Sequence, residues 1–387
     1  MDKIIKEYYC IGCGLCQSLG KAELICNQKG YLSPIKGDEK WLRTVCPAGG
    51  RQCASMDFNH IWGRIEAVYY GFSSDEVLRR QASSGGSLTE IASYLLENKK
   101  VDEILHTCAS SENPTETEIC ISTSREELLS RCGSRYAISH PLSSISELDV
   151  NKKYAFIGKP CDVTVLKNVQ KMNPIIAEMI PITMSFFCAG LPSIDAQKKL
   201  LEEMGCDSRV VSLRYRGNGW PGYATANLEN RKQCKMDYNT SWGKILGRDI
   251  MKMCRFCLDG IGEMADIACC DAWYLTEDDK PNFTEADGRN GIICRSKQGV
   301  EIVQEASALG KLVVTEFTDY EEKLKHMQFY QHDRRATMFE KYIAMKICLK
   351  PFPKYPMKIR RYQKGVGIRR RLGIFKGIVG HVLKGKI

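Results

Sequence analysis

Histidine is scarce in this chain, and so is any long apolar stretch. Six histidines occur in 387 residues (His60, His106, His140, His326, His332 and His381), none paired at helical spacing. That argues against a His-rich metal site and against a His-based hydrolytic centre. No run reaches the roughly 18 apolar residues that cross a bilayer, so a soluble or at most peripheral chain is expected. The opening Met1–Cys10 lacks the apolar centre of a secretion signal and carries Asp2, Lys3, Lys6 and Glu7, which points to a cytoplasmic setting. Acidic residues are missing from Lys350 onward, where twelve Lys/Arg occur. With a formal net charge of +10 for the whole chain, those twelve leave the remainder near −2. Nucleic-acid binders spread basic residues over a folded face; here they sit at one terminus, and no nucleic-acid partner is expected.

What is abundant is cysteine, 19 residues. The count is odd, no secretion signal is present, and several cysteines stand in Cys-x-x-Cys spacings too close for ordinary structural bridges. Metal chemistry in a reducing compartment explains them better than a disulfide framework.

The length allows two or three domains. Residues 1–58 are cysteine- and turn-rich and read as a small iron–sulfur module. Regular patterning begins near Trp62. Ile65–Gly71 reads as a strand, Leu88–Asn98 as a helix with Leu88, Ile91, Ala92, Leu95 and Leu96 on one face, and Val101–Thr107 as a strand. Tyr154–Ile157 and Met179–Phe187 read as two strands joined by a helix over Val163–Val169, which suggests a parallel βαβ unit. Ser193 is expected to cap a helix running to Met204. Residues 212–260 read as loop-rich, and Gly291–Arg295, Val300–Ala308 and Leu312–Glu316 as a further strand–helix–strand unit. The expected class is α+β, a mixed α/β core with parallel βαβ units behind the iron–sulfur module. Domain limits fall at 1–58, 59–145, 146–335 and a basic tail at 336–387.

Cys10, Cys13 and Cys16, followed by Cys46-Pro47, form the strongest signal. Three thiolates at three-residue spacing can take three iron corners of a cubane, and a distant Cys-Pro commonly supplies the fourth. Gly12 and Gly14 let the backbone curl around it. Cys26 and Cys53 are competing fourth ligands ranked below Cys46. A zinc knob would favour two separated Cys-x-x-Cys pairs. A second set is less local: Cys254 and Cys257 are a close pair, and Cys161 and Cys188 stand at corresponding strand ends, the edge where α/β sheets bind ligands. Alternatively, Cys161 and Cys188 are buried small hydrophobes. The isolated cysteines Cys108, Cys120, Cys132, Cys206, Cys234, Cys294 and Cys348 read as structural, and Cys269-Cys270 is unassigned.

Three segments suit a second cofactor. Ser83-Ser84-Gly85-Gly86-Ser87 precedes a helix, where exposed amides attract phosphate, although such loops also serve as plain caps. Arg216-Gly-Asn-Gly219-Trp220-Pro-Gly can approach a flat ring, with Trp220 packing and Arg216 stabilising negative charge on a reduced flavin, or it is a simple Pro-Gly turn. Arg131-Cys-Gly133-Ser134-Arg-Tyr136 is a third small-residue segment flanked by cations.

Read in order, Cys-x2-Cys-Gly-x-Cys, Ser84-Gly85-Gly86, Gly133-Ser134-x-Tyr136, Gly158-x-Pro160-Cys161, Cys188-x-Gly190, Gly219-Trp220-Pro221-Gly222 and Cys254-x2-Cys257 resemble the coenzyme F420 hydrogenase/dehydrogenase beta-subunit family, which includes plant 7-hydroxymethyl chlorophyll a reductase. The likeness spans roughly residues 5–320. It implies an FAD site, with Ser84, Gly85, Gly86, Gly133, Ser134, Tyr136, Arg216, Gly219 and Trp220 as its cofactor-binding residues, and two 4Fe–4S clusters. It also implies electrons passing from a ferredoxin-like donor through the clusters to FAD and on to an organic substrate; the alternative is a non-catalytic electron-transfer subunit feeding a partner enzyme. The internal cluster would be held by Cys161, Cys188, Cys254 and Cys257. Two departures stand out. The N-terminal module has no second full cysteine repeat, so it is expected to hold one cluster. Cys270-Asp271 also stands where Gly-Asp is expected, which leaves the role of Asp271 open. No catalytic residue is singled out among Tyr136, Asp271 and Lys159.

The terminal basic segment, with Arg360-Arg361, Arg369-Arg370-Arg371 and Lys384-Gly-Lys386 interleaved with Ile374, Phe375, Ile378, Val379, Val382 and Leu383, suggests peripheral contact with an anionic membrane. Gly365, Gly367, Gly373, Gly377 and Gly380 weaken any helix there.

Overall fold

The computed structural model describes residues 9–49 and 56–385; Asp2 to Glu7 and Cys53 lie outside the described residues. The strands, in chain order, are β1 (Ala22–Cys26), β2 (Leu32–Gly37), β3 (Ala67–Ser73), β4 (Glu103–Ala109), β5 (Thr117–Ser122), β6 (Tyr154–Gly158), β7 (Ile182–Phe186), β8 (Val210–Arg214), β9 (Tyr223–Leu228), β10 (Gln233–Asp237), β11 (Ile267–Asp271), β12 (Asn290–Cys294) and β13 (Leu312–Glu316). Eight of them form one sheet, in the order β13-β3-β12-β11-β7-β6-β4-β5. Its centre, β11-β7-β6-β4, is parallel, and antiparallel strands close both sides.

Strand pleating sends successive side chains to opposite faces, and this sheet is covered on both. Tyr154 and Phe156 of β6 join a core with Val163 and Leu166 of the following helix. Ala155, between them, faces Ile91 and Leu95 of the helix Ser87–Glu97 and Ile302 and Val303 of the helix Lys297–Ala308. The expected βαβ unit is present: β6 leads through the helix Pro160–Gln170 to the parallel neighbour β7. β7 starts later than the apolar run suggests. Met179 ends a helix, Pro174–Met179, that Asn173 caps through the amides of Ile175 and Ile176 and that Pro174 opens.

The segment 212–260 is not loop throughout. β8, β9 and β10 form an antiparallel sheet of three strands, its inner face made by Leu213, Ala224, Ala226 and Leu228 packed with Ala196 and Leu200. Small alanines carry half of that alternation, so the pattern is faint in the sequence. Near the N-terminus, β1 and β2 pair as a hairpin between the short helices Leu15–Ser18 and Glu39–Val45. Leu15, Leu42 and Val45 share the core that holds Val163 and Phe256, so this region is fused to the body.

The basic tail is docked for much of its length. Phe352, Tyr355, Ile359 and Tyr362 are buried in the main core with Met345. Beyond them the helix Ile368–Leu383 buries no residue fully, and its glycines do not break it. Arg370 pairs with Asp333 at 2.7 Å and Arg371 with Glu340 at 2.5 Å. Among the described residues, no helix is long and apolar enough to cross a membrane.

Asp266, just before β11, joins three elements. It accepts from the Thr183 amide (2.9 Å) and hydroxyl (2.7 Å), from Lys167 (3.1 Å) and from the Ser296 hydroxyl (2.9 Å). Burial alone would raise its pKa, but Lys167 and Thr183 hold it below the ordinary value of 3.8. Its stabilisation is therefore complete above that value and is lost as pH falls through the lower, folded-state pKa. Asp266→Asn is expected to lower stability at neutral pH by about 2 kcal/mol and to flatten the acid limb of a denaturation-versus-pH curve. Deleting 368–387 is expected to cost about 1–2 kcal/mol for one exposed ion pair and one whose carboxylate, Glu340, is buried, whereas deleting 350–387 removes four core side chains and abolishes cooperative thermal unfolding.

Candidate functional site

In a parallel sheet the strands end on one edge. The chain leaving β6 there carries Lys159, Pro160 and Cys161, the chain leaving β7 carries Cys188, and β11 ends at Asp271. Above this edge lies a cavity of about 800 Å³. Of the sequence-derived cofactor residues, Ser84, Gly86, Gly133, Ser134, Tyr136 and Arg216 line it. The Ser134 amide donates to the Ser83 hydroxyl at 2.6 Å, which fastens two of the expected segments into a single wall. Gly86 takes φ +76° to start the helix Ser87–Glu97, and the Ser87 hydroxyl, fully buried in the cavity wall, has no hydrogen-bond partner among the described residues. An unsatisfied hydroxyl at a helix N-terminus fits a phosphate oxygen.

Gly85, Gly219 and Trp220 lie behind the lining. A Cβ on Gly85 would press on Arg289 Cα at 2.8 Å and one on Gly219 on Glu285 Oε1 at 2.6 Å. Gly85 serves close packing, whereas Gly219 is required by its φ of +129°, the exposed Glu285 side chain being free to move. Trp220 is buried and stacks on Trp273 at 4.5 Å with rings 3° apart. Trp273, with Tyr238 and Trp242, offers the aromatic surface to the cavity. These three residues escaped the sequence reading; the position of Trp273 two residues beyond Asp271 was the one available signal.

Asp271 now has a role. Arg216 grips both its oxygens at 3.0 Å, and Trp220 Nε1 donates to it at 2.8 Å. The Arg216 charge is therefore balanced inside the protein, and the guanidinium also lies 4.7 Å from the Tyr238 ring centre. Lys159 is likewise spent on Asp162 (2.8 Å) and the Ser139 hydroxyl (3.0 Å). Removing the carboxylate would strand a buried guanidinium, so Asp271→Ala should cost about 3–5 kcal/mol. The readout is the midpoint of chemical denaturation, and Arg216→Met with Asp271→Leu should recover most of the loss.

The eight candidate metal ligands fall into two groups. Cys10, Cys13, Cys16 and Cys46 stand in one electrostatic neighbourhood, where burial above all raises the pKa values of Cys10, Cys13 and Cys46, helped by Cys46 at Cys10, by Asp162 and then Cys16 at Cys13, and by Cys16 at Cys46. Cys26 is exposed on β1. Cys161, Cys188, Cys254 and Cys257, distant in sequence, line one small cavity together with Lys159, Asp259 and Arg334. Burial pushes the Cys254 thiol up to about 12 and that of Cys257 to about 11, so these groups ionise at neutral pH only beside strong positive charge. Among the described residues, no three His, Cys, Asp or Glu side chains converge on a point suited to a single ion. A cubane makes a different demand, one thiolate for each iron corner, and four half-buried cysteines around one cavity fit it.

The two cavities touch. Lys159, Cys188, Gly190 and Leu191 line both, and Ile11, between Cys10 and Cys13, lines the smaller one. The N-terminal loop is fixed there by His140 Nδ1 bonded to the Gly12 carbonyl at 2.6 Å and by the Leu142 amide donating to the Cys13 carbonyl at 3.0 Å.

Fold and site thus define a mixed-sheet α/β protein in which a large ligand cavity adjoins a four-cysteine chamber at the sheet's C-terminal edge. Two family models match, both of the coenzyme F420 hydrogenase/dehydrogenase beta subunit: its N-terminal part over residues 68–146 and its C-terminal part over 151–320. The chain belongs to the coenzyme F420 hydrogenase/dehydrogenase beta-subunit family. It is 21% identical over 276 residues to the coenzyme F420 hydrogenase subunit beta of Methanococcus voltae, covering 69% of this chain and 90% of that one. It is 24% identical over 296 residues to the coenzyme F420-dependent sulfite reductase of Methanocaldococcus jannaschii, covering 72% of this chain but 42% of that longer protein. In fold it is similar to a chain of the F420-reducing [NiFe] hydrogenase complex of Methanosarcina barkeri, with a TM-score of 0.54 and 19% identity over 76% of this chain and 97% of that one. The relatives are oxidoreductases or their subunits.

Proposed function

We propose that this chain is an iron–sulfur flavoprotein oxidoreductase that takes electrons from a ferredoxin-like carrier and delivers them to an organic substrate. The carrying observation is the contact between the two cavities: Cys188 belongs to the four-cysteine chamber and to the wall of the large cavity. In this reading Cys10, Cys13, Cys16 and Cys46 hold one 4Fe–4S cluster in the ferredoxin-like N-terminal module, and Cys161, Cys188, Cys254 and Cys257 hold the second. Ser84, Gly86, Gly133, Ser134 and Tyr136 surround FAD, with Gly85, Gly219, Trp220 and Arg216 shaping its pocket from behind or beside it. Bound there, the clusters supply one-electron exchange and the flavin converts it to two-electron chemistry. The protein's own part is positional. The Arg216–Asp271 pair fixes the aromatic wall, and the helix start at Ser87, whose amide is held by Asn290 Oδ1 at 3.2 Å, offers a free hydroxyl to a phosphate.

Anaerobic purification with iron, sulfide, zinc and flavin quantified tests the reading. About eight irons and one flavin per chain are expected, falling to about four irons in Cys161→Ser/Cys254→Ser with flavin retained. Zinc without sulfide would remove the redox reading altogether. Bleaching of the bound flavin by reduced ferredoxin checks the donor.

A second reading, an electron-transfer subunit feeding a partner enzyme, draws on relatives named as subunits of an F420 hydrogenase and a formate dehydrogenase. Stable co-purification with a second polypeptide, and no turnover of reduced F420 or other hydride acceptors and donors by the isolated chain, would favour it. Contact of the last helix with anionic lipid is part of the proposal through its exposed Ile368, Arg369, Leu372 and Lys376. Liposome flotation of the full chain and of one lacking 368–387 is expected to separate them, and equal behaviour would end that part.

A further inference from the structure

Arg334 is a buried cation with no anion to match it among the described residues. It lies on the helix Phe329–Ala336, beyond residue 320 where the family match ends, and only 3% of its surface is exposed. Its neighbours on that helix are paired conventionally, Asp333 with Arg370 and Arg335 with Glu263 at 2.8 Å. Arg334 forms no ion pair among the described residues. Its Nη2 donates to the Cys188 carbonyl (3.0 Å) and to Gln331 Oε1 (2.6 Å), while Nε has no partner among the described residues. Gln331 in turn donates to the same Cys188 carbonyl at 3.1 Å. Isolating a charge from water costs several kcal/mol unless an opposite charge answers it.

The surroundings say where that opposite charge belongs. Arg334 lines the same cavity as Cys161, Cys188, Cys254 and Cys257. The other cation of that wall, Lys159, is already balanced by Asp162. The wall's carboxylate, Asp259, turns Oδ1 to the amides of Ile261 (3.3 Å) and Glu263 (3.1 Å) and forms no ion pair with Arg334 among the described residues. The slot that admits the guanidinium is made by Gly260, where a Cβ would overlap Arg334 Nη2.

We propose that Arg334 is the electrostatic counterpart of the cluster held by these four cysteines and raises its reduction potential above the value the same ligands would give alone. This rests on the two-cluster reading. Each electron added makes a cubane more negative, and net charge and hydrogen bonding near its sulfurs are among the levers that set its potential. A cation at the wall favours the reduced form. Arg334 is thus a positioning and tuning residue supplied by the C-terminal segment.

The test is an anaerobic redox titration of the purified full chain followed by electron paramagnetic resonance. The signal of the internal cluster is assigned by its loss in Cys161→Ser/Cys254→Ser. Arg334→Gln is expected to keep about eight irons and to shift the one-electron reduction equilibrium of the internal cluster at least tenfold toward the oxidised form, about 59 mV. The N-terminal cluster should not move. Eight irons with both potentials at their wild-type values would overturn the inference while leaving the two-cluster reading intact. Four irons in the wild-type chain would end both. Should Arg334→Gln lose the internal cluster, Arg334→Lys decides, because it retains the charge: an internal potential at the wild-type value supports the inference, and a fall as large as tenfold overturns it.

Discussion

The parallel pairing of β6, β7 and β11 is the constraint on which the rest depends. Parallel neighbours must end on the same edge, so the residues just past those strands meet although the sequence separates them widely. Cys161, Cys188 and Asp271 reach the site in this way. Cys254 and Cys257 come from the short helix Lys252–Arg255 and the turn after it. Asp266 secures the opposite ends of the strands by tying the start of β11 to β7 and to the cap of the helix Lys297–Ala308. A weakened β7–β11 pairing would therefore disturb both cavities at once.

Charge compensation is the second theme. Around the large cavity, Arg216 is answered by Asp271 and Lys159 by Asp162, while Arg135 and Arg248 of the same lining form no ion pair among the described residues and donate to backbone carbonyls. At the cysteine chamber the balance is left incomplete. Four thiols whose pKa values burial raises, and one guanidinium that forms no ion pair among the described residues, share that chamber. An anionic occupant would resolve both together. Buried polar groups left without partners are unusual enough to require an explanation, and here one occupant accounts for thiols and cation alike.

The C-terminal segment, read as a basic appendage, proves to be part of the body. Its aromatic residues Phe352, Tyr355 and Tyr362 complete the core beneath the helix that carries Arg334. The arginines of the last helix hold Asp333 and Glu340. Sequence composition pointed to the surface because Lys and Arg outnumber the apolar residues that anchor it, and spacing alone does not reveal which of those apolar residues are covered.

Local chemistry was legible in the chain itself. The close cysteine spacings, the Ser193 cap, the helix behind Ser87 and the βαβ alternation are short-range patterns governed by helix and strand periodicity, and each appears within a few residues of its expected place. Tertiary structure alone decided what depends on long-range proximity: that Trp220 packs behind Trp273 and not in the cavity lining, that Asp271 neutralises Arg216, that alanine-rich strands fill segment 212–260, and that Arg334 stands at the cysteine chamber. Side-chain direction and charge pairing between distant segments follow from how the sheet brings strand ends together, and no pattern within one segment encodes them.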